Sequence, residues 1–550
     1  MGFAARLALC CALGLFPLGV ARAAEPTHLL ARMRAASGPV WRTHLRSVSR
    51  LTIDGETTTI QSDALGVRFV TRECNGALCP GTYFDGRRLY SININGTTLP
   101  RSTLPETYLR GIRTVSSLAF LSRDFTSGGG SIEDAGTATI SGARYRVLLV
   151  SDPDAVPMQV FVDPATALVR YMRDIDGDGT FEYRHYQRLD GGITLPSLVL
   201  HNDTVLERYD QREASPSPFV VPHGLTVTFA GPAVRVPTDP NKAVPVFPCT
   251  IAGVAVRCLL DTGNSGLSIS QGLAERLSAP SVGAYSVAGL GRYVTDVVRV
   301  GPLTIGNARF PDADYVVLHD ISHYGYDVVL GADVLAATTI EIDPVSHTLW
   351  LGASAPNNAI SVPMAFEDFI PVVNVQLGEL QAHLAVDTGD ESNINLSYDF
   401  YQQHPTLFRA TEQRSVSGIG GNSVELIGRI PSVTIGSYQT SPQRIGTTES
   451  LRGTAYGHLG AAFFSQFKII LDYENGHLGL IPGPATIYAK AASRGGCGSR
   501  RGMLALPSRR TVLPEKSLEL RRRRSRGSVR ASRGIRRPRQ PRPTRDCVPA

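Results

Sequence analysis

Short apolar and β-branched runs, several alternating with polar residues and closed by glycine, proline or Asp-Gly, recur from residue 24 onward. Thr82-Tyr83-Phe84 before Asp85-Gly86, Arg88-Leu89-Tyr90, and Tyr145 to Val150 illustrate the pattern. A period of two over so few residues predicts strands with one wet face, joined by tight turns into antiparallel sheets. The chain opens differently. Arg6 precedes an apolar run from Leu7 to Val20, and Ala21-Arg22-Ala23 supplies a small-x-small cleavage pattern before Ala24. This predicts a secretory signal peptide over residues 1–23. No later run approaches the roughly 20 apolar residues of a membrane-spanning helix. The expectation is therefore an exported protein, periplasmic or secreted, with no transmembrane span.

The strand pattern of residues 24–235 predicts an N-terminal β-rich domain. On strand rhythm it resembles the curved-sheet carrier domains of bacterial envelope lipoprotein sorting, and no motif assigns it a role. Asp174, Asp176 and Asp178 alternate around Gly177 and Gly179. A calcium loop of the EF-hand type wants glutamate eleven positions after its first aspartate, where His185 stands. An acidic hairpin turn is the first reading and a calcium loop the alternative. Four prolines between Pro232 and Pro245 predict a linker.

Beyond it the pattern repeats. Val244-Pro245-Val246 leads to Leu259-Leu260-Asp261-Thr262-Gly263, and Ile370-Pro371-Val372 leads to Ala385-Val386-Asp387-Thr388-Gly389, with 17 positions from first apolar residue to aspartate in both. Ser286 to Gly291 matches Ser415 to Gly420, Leu303 to Gly306 matches Val433 to Gly436, Leu330-Gly331-Ala332 matches Leu459-Gly460-Ala461, and Ile342-Asp343 matches Leu471-Asp472. Matched landmarks in one order define a duplicated β unit.

The paired Asp-Thr-Gly turns, each after an apolar strand and before a glycine-rich hairpin, resemble those of the aspartic peptidases, retropepsin-like lobes joined in one chain as in the pepsin-like arrangement. The resemblance covers about residues 240 to 485. It implies a mainly β protein in which two aspartic-peptidase β-barrel lobes, 240–357 and 362–485, follow a separate antiparallel sheet domain. It also implies Asp261 and Asp387 as a catalytic pair, with Thr262 and Thr388 bracing the turns across the interface. Gly263 and Gly389 let the backbone fold tightly around each carboxylate. Like charges held close cannot both ionise, so the pair shares a proton, and one carboxylate activates water while its protonated partner polarises the peptide carbonyl. No metal and no cofactor is expected.

In this family a hydroxyl residue often follows the glycine. Here Asn264 and Asp390 hold those positions, and Ser265 is the candidate substitute. Asp390 and Glu391 are expected to raise the proton affinity of Asp387. Gly289, Leu290 and Gly291, and Gly418, Ile419 and Gly420, are flap candidates, with plain hairpins as the alternative; the Gly331 and Gly460 segments read as support beneath the catalytic turns. His458 stands where the first copy has Val329, and as a lone histidine reads as structural.

Composition sharpens this picture. With 550 residues, 42% of them hydrophobic, wholesale disorder is excluded, and 54 glycines with 36 prolines fit a turn-rich β protein. The formal charge of +7 misleads about partners. From Ala491 onward stand 18 Arg and Lys against three acids, while residues 1–490 hold 37 basic against 45 acidic residues. Residues 491–550 therefore read as an Arg-rich disordered tail on an acidic body, and nucleic acid is not expected as the main partner. Cys74 with Cys79, and Cys249 with Cys258, are disulfide candidates in an oxidising compartment; neither spacing completes a zinc site. The reading is an aspartic endopeptidase acting on peptide or protein substrates as a monomer with an intramolecular site. The alternative is an inactive peptide-binding or envelope carrier protein on the same scaffold.

Overall fold

The alternating runs upstream of residue 215 pair in antiparallel register into one sheet of thirteen strands. The computed structural model describes residues 26–53, 56–101, 106–174, 179–319, 321–354, 356–448 and 457–483. The expected signal peptide, the Arg-rich tail, and Asp176 with Asp178 lie outside the described residues. The first sheet is two meanders sharing strand Leu45–Ile53, which has Glu56–Leu65 on one side and the last strand, Thr204–Ala214, on the other. Helices Thr27–Ser37 and Glu106–Ser116 cover one face, where Leu30, Met33 and Val115 join Leu148, Val160 and Met172 in a single core. Gly38 ends the first helix at φ +69, a conformation glycine enters without penalty, and its amide bonds the Arg34 carbonyl. Cys74 and Cys79 are disulfide-bonded beside the strand end at residue 74.

The duplicated segment builds the same ladder twice. In the first copy Val246–Ile251 pairs with Val254–Leu260 around Ala252 and Gly253, both at positive φ. Cys249 and Cys258 close a disulfide within that hairpin. Leu260 then lies parallel to Val328–Leu330, which pairs antiparallel with Leu267–Ser270. In the second copy Ile370–Leu377 pairs with Leu380–Asp387 around Gly378, then come Gly457–Gly460 in parallel and Ile394–Ser397 antiparallel to it. Parallel pairing suits strands buried on both faces, and Leu259, Leu260, Val328, Val329 and Leu330 are all buried. The copies join through Ile340–Asp343 and Phe467–Asp472, with Ile340 opposite Leu471. Lys468 straps that joint to Glu341 at 3.1 Å and Asp343 at 3.2 Å. The last shared landmark of the repeat is thus the place where the two copies meet.

The protein is mainly β, and the first sheet shares no strand with the other two among the described residues. The proline-rich stretch departs from its expectation as a linker. Val234–Pro237 is an edge strand pairing with Thr348–Leu351, and Thr228–Phe229 pairs with Ala308–Phe310. Alternation decides this: Val236 is buried, and an edge strand tolerates Pro237 because only one side of it needs ladder donors.

Candidate functional site

Each Asp-Thr-Gly turn leaves the end of a buried strand, Val254–Leu260 in one copy and Leu380–Asp387 in the other. The Asp261 amide is anchored on the Leu330 carbonyl at 2.9 Å. Its Oδ1 accepts the Gly263 amide at 2.8 Å, and Asp387 Oδ1 accepts the amides of Gly389 and Asp390, both at 3.1 Å. These bonds fix the carboxyl planes before any substrate is present.

The threonines tie the turns together. Thr262 Oγ1 donates to the Val386 carbonyl at 2.5 Å and accepts the Thr388 amide at 2.9 Å. Thr388 Oγ1 donates to the Leu260 carbonyl at 2.9 Å and accepts the Thr262 amide at 3.1 Å. Both side chains are buried, so four crossed bonds lock the copies with no polar group of the two hydroxyls wasted.

That lock brings the carboxyls together. A side-chain hydrogen bond links Asp261 to Asp387. Burial raises the proton affinity of Asp261 far above the carboxylate range, and the neighbouring charge of Asp387 raises it further. Burial also raises that of Asp387, against the lowering effect of His458. Gly263 and Gly389 are required here for a reason different from the one expected. Neither has positive φ; instead a Cβ on Gly263 would stand 2.7 Å from Asp387 Cγ, and one on Gly389 would stand 2.3 Å from Asp261 Cγ. The glycines make room for the opposite carboxyl.

The two flap candidates form hairpins, Ser281–Ala288 with Arg292–Val300 and Glu412–Gly418 with Gly421–Ile430. Their tips, which carry Gly289 to Gly291 and Gly418 to Gly420, touch. The Gly291 amide lies 3.4 Å from the Ile419 carbonyl, and a Cβ on Gly291 would fall 2.1 Å from the Gly420 carbonyl oxygen. Leu290 packs against Gly418, and Gly420 sits at φ +84.

Ser265 is placed elsewhere than expected. Its hydroxyl meets the phenol of Tyr285 on the first hairpin rather than orienting Asp261, and its carbonyl accepts Asn93 Nδ2 at 3.1 Å. Asn264 is turned inward as a brace, bonding Ser268 Oγ at 3.1 Å and accepting the Gly266 amide at 3.2 Å. Behind this turn lies a carboxylate that the sequence did not single out. Asp333 is fully buried and receives Asn93 Nδ2 and Asn95 Nδ2, each at 2.7 Å, and the Thr97 hydroxyl, all from one turn of the first sheet. Asn95 also bonds the Asp314 backbone in both directions.

The second turn holds another unanticipated pair. His458 Nε2 lies 2.5 Å from Asp390 Oδ2, a short contact of ion-pair character without hydrogen-bond alignment. Burial opposes a charged imidazole, yet Asp390 holds His458 up at about 9; burial likewise opposes the Asp390 carboxylate, which His458 and Ser392 bring down to about 2. Asp390 does raise the proton affinity of Asp387, as expected, but as an anion paired with His458, and Glu391 is exposed. The signal for this pair was present as a difference between copies: Asp390 for Asn264 and His458 for Val329. Tyr326 and Tyr473 also border the site, each with its phenol raised by burial first and then by the Asp261 charge.

Among the described residues no cluster of three or more His, Cys, Asp or Glu side chains is arranged to hold a metal ion. Residues 247–334, the first copy of the repeat, match the aspartyl protease family. No curated protein matches the chain. The family match covers a domain whose members are peptidases in general, and it contains Asp261 but not Asp387.

Proposed function

We propose that the chain is an aspartic endopeptidase whose site is formed within one molecule by Asp261 and Asp387. The observation that carries this reading is the crossed threonine lock, which holds two carboxyls in hydrogen-bonding contact. A buried pair of this kind retains one proton over a wide pH range, because ionising both places like charges in contact. The ionised member then takes a proton from water as it attacks the peptide carbonyl, and the protonated member donates to the carbonyl oxygen as charge develops there. The amine leaves when the C–N bond of the tetrahedral intermediate breaks and a proton is returned to nitrogen. An extended peptide fits between the turns and the hairpins by strand-like main-chain hydrogen bonds.

Tethering both copies on one chain favours the intramolecular pair over exchange between molecules, so the active form is a monomer. The two disulfides are in keeping with export to an oxidising compartment. The purified chain is expected to cleave an unfolded protein at mildly acid pH, and Asp261→Asn or Asp387→Asn to lower kcat/KM by at least about 100-fold. Equal cleavage by either variant overturns the reading. Binding of peptides by the wild type without cleavage would favour the inactive peptide-binding alternative.

A further inference from the structure

The two halves of the site are not equivalent, and the difference is a charge. In the first copy the position after Asp-Thr-Gly is Asn264, and the strand beneath it carries Val329 opposite Leu259. In the second copy these positions are Asp390 and His458, the latter opposite Ala385 on the strand that ends in Asp387. Asp390 is tied to both partners: its amide donates to Asp387 Oδ1 at 3.1 Å, and its carboxylate lies 2.5 Å from His458 Nε2. We propose that His458, held as a cation against Asp390, is a positioning residue that assigns the shared proton of the dyad to Asp261 and leaves Asp387 as the base. This rests on the peptidase reading for its meaning in catalysis, though not for the charge arrangement itself.

The surroundings permit a cation there. His458 lies on Gly457–Gly460, between Leu380–Asp387 and Ile394–Ser397. The charged groups acting on it are Asp390, Asp387 and Glu425, all acidic. Glu425 is itself paired with Arg414 at 2.5 Å, so it contributes less than Asp390. Asn395, in register with His458 on the neighbouring strand, has a buried side-chain oxygen without a hydrogen-bond partner, a further acceptor on that sheet. Glu391 is exposed and screened, and the Tyr326 and Tyr473 phenols stay neutral because burial raises them.

On Asp387 the His458 cation acts in the lowering direction and outweighs the opposing Asp390 anion. Asp261 is raised further by the Asp390 anion. The backbone bonds have the same polarity: Asp387 Oδ1 accepts two amides, those of Gly389 and Asp390, where Asp261 Oδ1 accepts that of Gly263, and amide donors favour the charged form. Geometry and charge therefore agree on which oxygen attacks through water and which donates. A symmetric pair has no such preference and divides its molecules between two proton arrangements, only one of which suits a given substrate pose.

The test reads the carboxyls directly. With the full chain carrying 13C at aspartate Cγ, the dyad is titrated by NMR in the wild type, in His458→Val, in Asp390→Asn and in the double variant, which rebuilds the Asn264 and Val329 pair of the first copy. Loss of the cation should move the dyad titration upward in His458→Val by about one pH unit, a tenfold change in proton affinity. Loss of the anion should move it downward in Asp390→Asn over the pH range in which His458 is still protonated, and the double variant should lie between the wild type and His458→Val. The His458 Cε1 proton should titrate near 9 in the wild type and lower in Asp390→Asn. The limbs of the kcat/KM profile should follow the same order. Dyad titrations that coincide in all four proteins, or a His458 that titrates in the ordinary imidazole range, overturn the proposal. If His458→Val fails to fold around its unpaired carboxylate, the double variant and Asp390→Asn still decide the order. Cleavage that survives Asp261→Asn defeats the peptidase reading instead, and leaves the NMR order standing as a statement about charge.

Discussion

Gly263 and Thr388 show how differently two neighbours of a carboxylate work. The Gly263 backbone lies in a region open to any residue, so Gly263→Ala should fold with nearly the wild-type denaturation midpoint. Its new Cβ would nevertheless sit 2.7 Å from Asp387 Cγ and displace that carboxyl. A shift approaching 1 Å costs about 100-fold in rate, and kcat measured beside a urea denaturation curve separates the two effects. Thr388→Val does the reverse. Valine keeps the shape but leaves the buried Thr262 amide and Leu260 carbonyl without partners. Each loss costs about 1–3 kcal/mol, so a lower urea midpoint is expected along with lower activity. An unchanged midpoint would mean that the crossed bonds add no stability. The Asp-Thr-Gly triplets were plain in the sequence, but the reason for their glycines was not, since the group each glycine admits belongs to the other copy.

At the scale of elements, the two hairpins were visible as matched Gly-x-Gly segments, and the contact of their tips with each other was not. Alternating residues fix a hairpin's own register, whereas the meeting of two tips depends on how the two copies are set against each other. Gly291→Ala would force its Cβ to 2.1 Å from the Gly420 carbonyl oxygen, so the tips must part. The tips carry little buried surface, and the melting temperature should stay within about 2 °C of wild type. KM for an unfolded protein substrate should rise several-fold. A variant with wild-type kinetics would show that tip contact plays no part in holding substrate. The strand Val234–Pro237 belongs to the same scale: its prolines suggested a linker, and its alternation with a waiting sheet edge made it a strand.

For the whole molecule, the buried Asp333 ties the first sheet to the site. Its counterpart in the second copy is Ala462, which is exposed. An ionised carboxylate buried this far is tolerable only with its three donors, and those come from Asn93, Asn95 and Thr97. Burial raises its proton affinity, and the three hydrogen bonds limit the rise. Because the folded value lies above the unfolded one, this group's stabilising contribution is complete below about pH 4 and fades as pH rises through the folded value. Asn cannot titrate, so the stability gap between wild type and Asp333→Asn should be widest in acid and narrow toward neutrality, as read from urea midpoints. A gap that widens with pH would reverse the sign argued here. The same contact bears on whether the N-terminal domain is a removable propeptide. Cutting the chain at a protease site introduced near the exposed Val220 and Val221 should leave both fragments associated and active. Fragments that separate, with activity kept by the larger one, would mean that the N-terminal domain is removable.

The sequence by itself determined the β character, the duplication, the two aspartates with their threonines, and both disulfide pairs. All of these are periodic or local signals, written within one strand, one turn or one repeat. Tertiary structure alone decided which groups share a low-dielectric neighbourhood. Asp333 meets donors more than 230 positions away, and His458 meets Asp390 across two strands. Their charges have meaning only through such contacts, because the energy of a buried ion depends on its nearest partners in space and hardly at all on its neighbours along the chain.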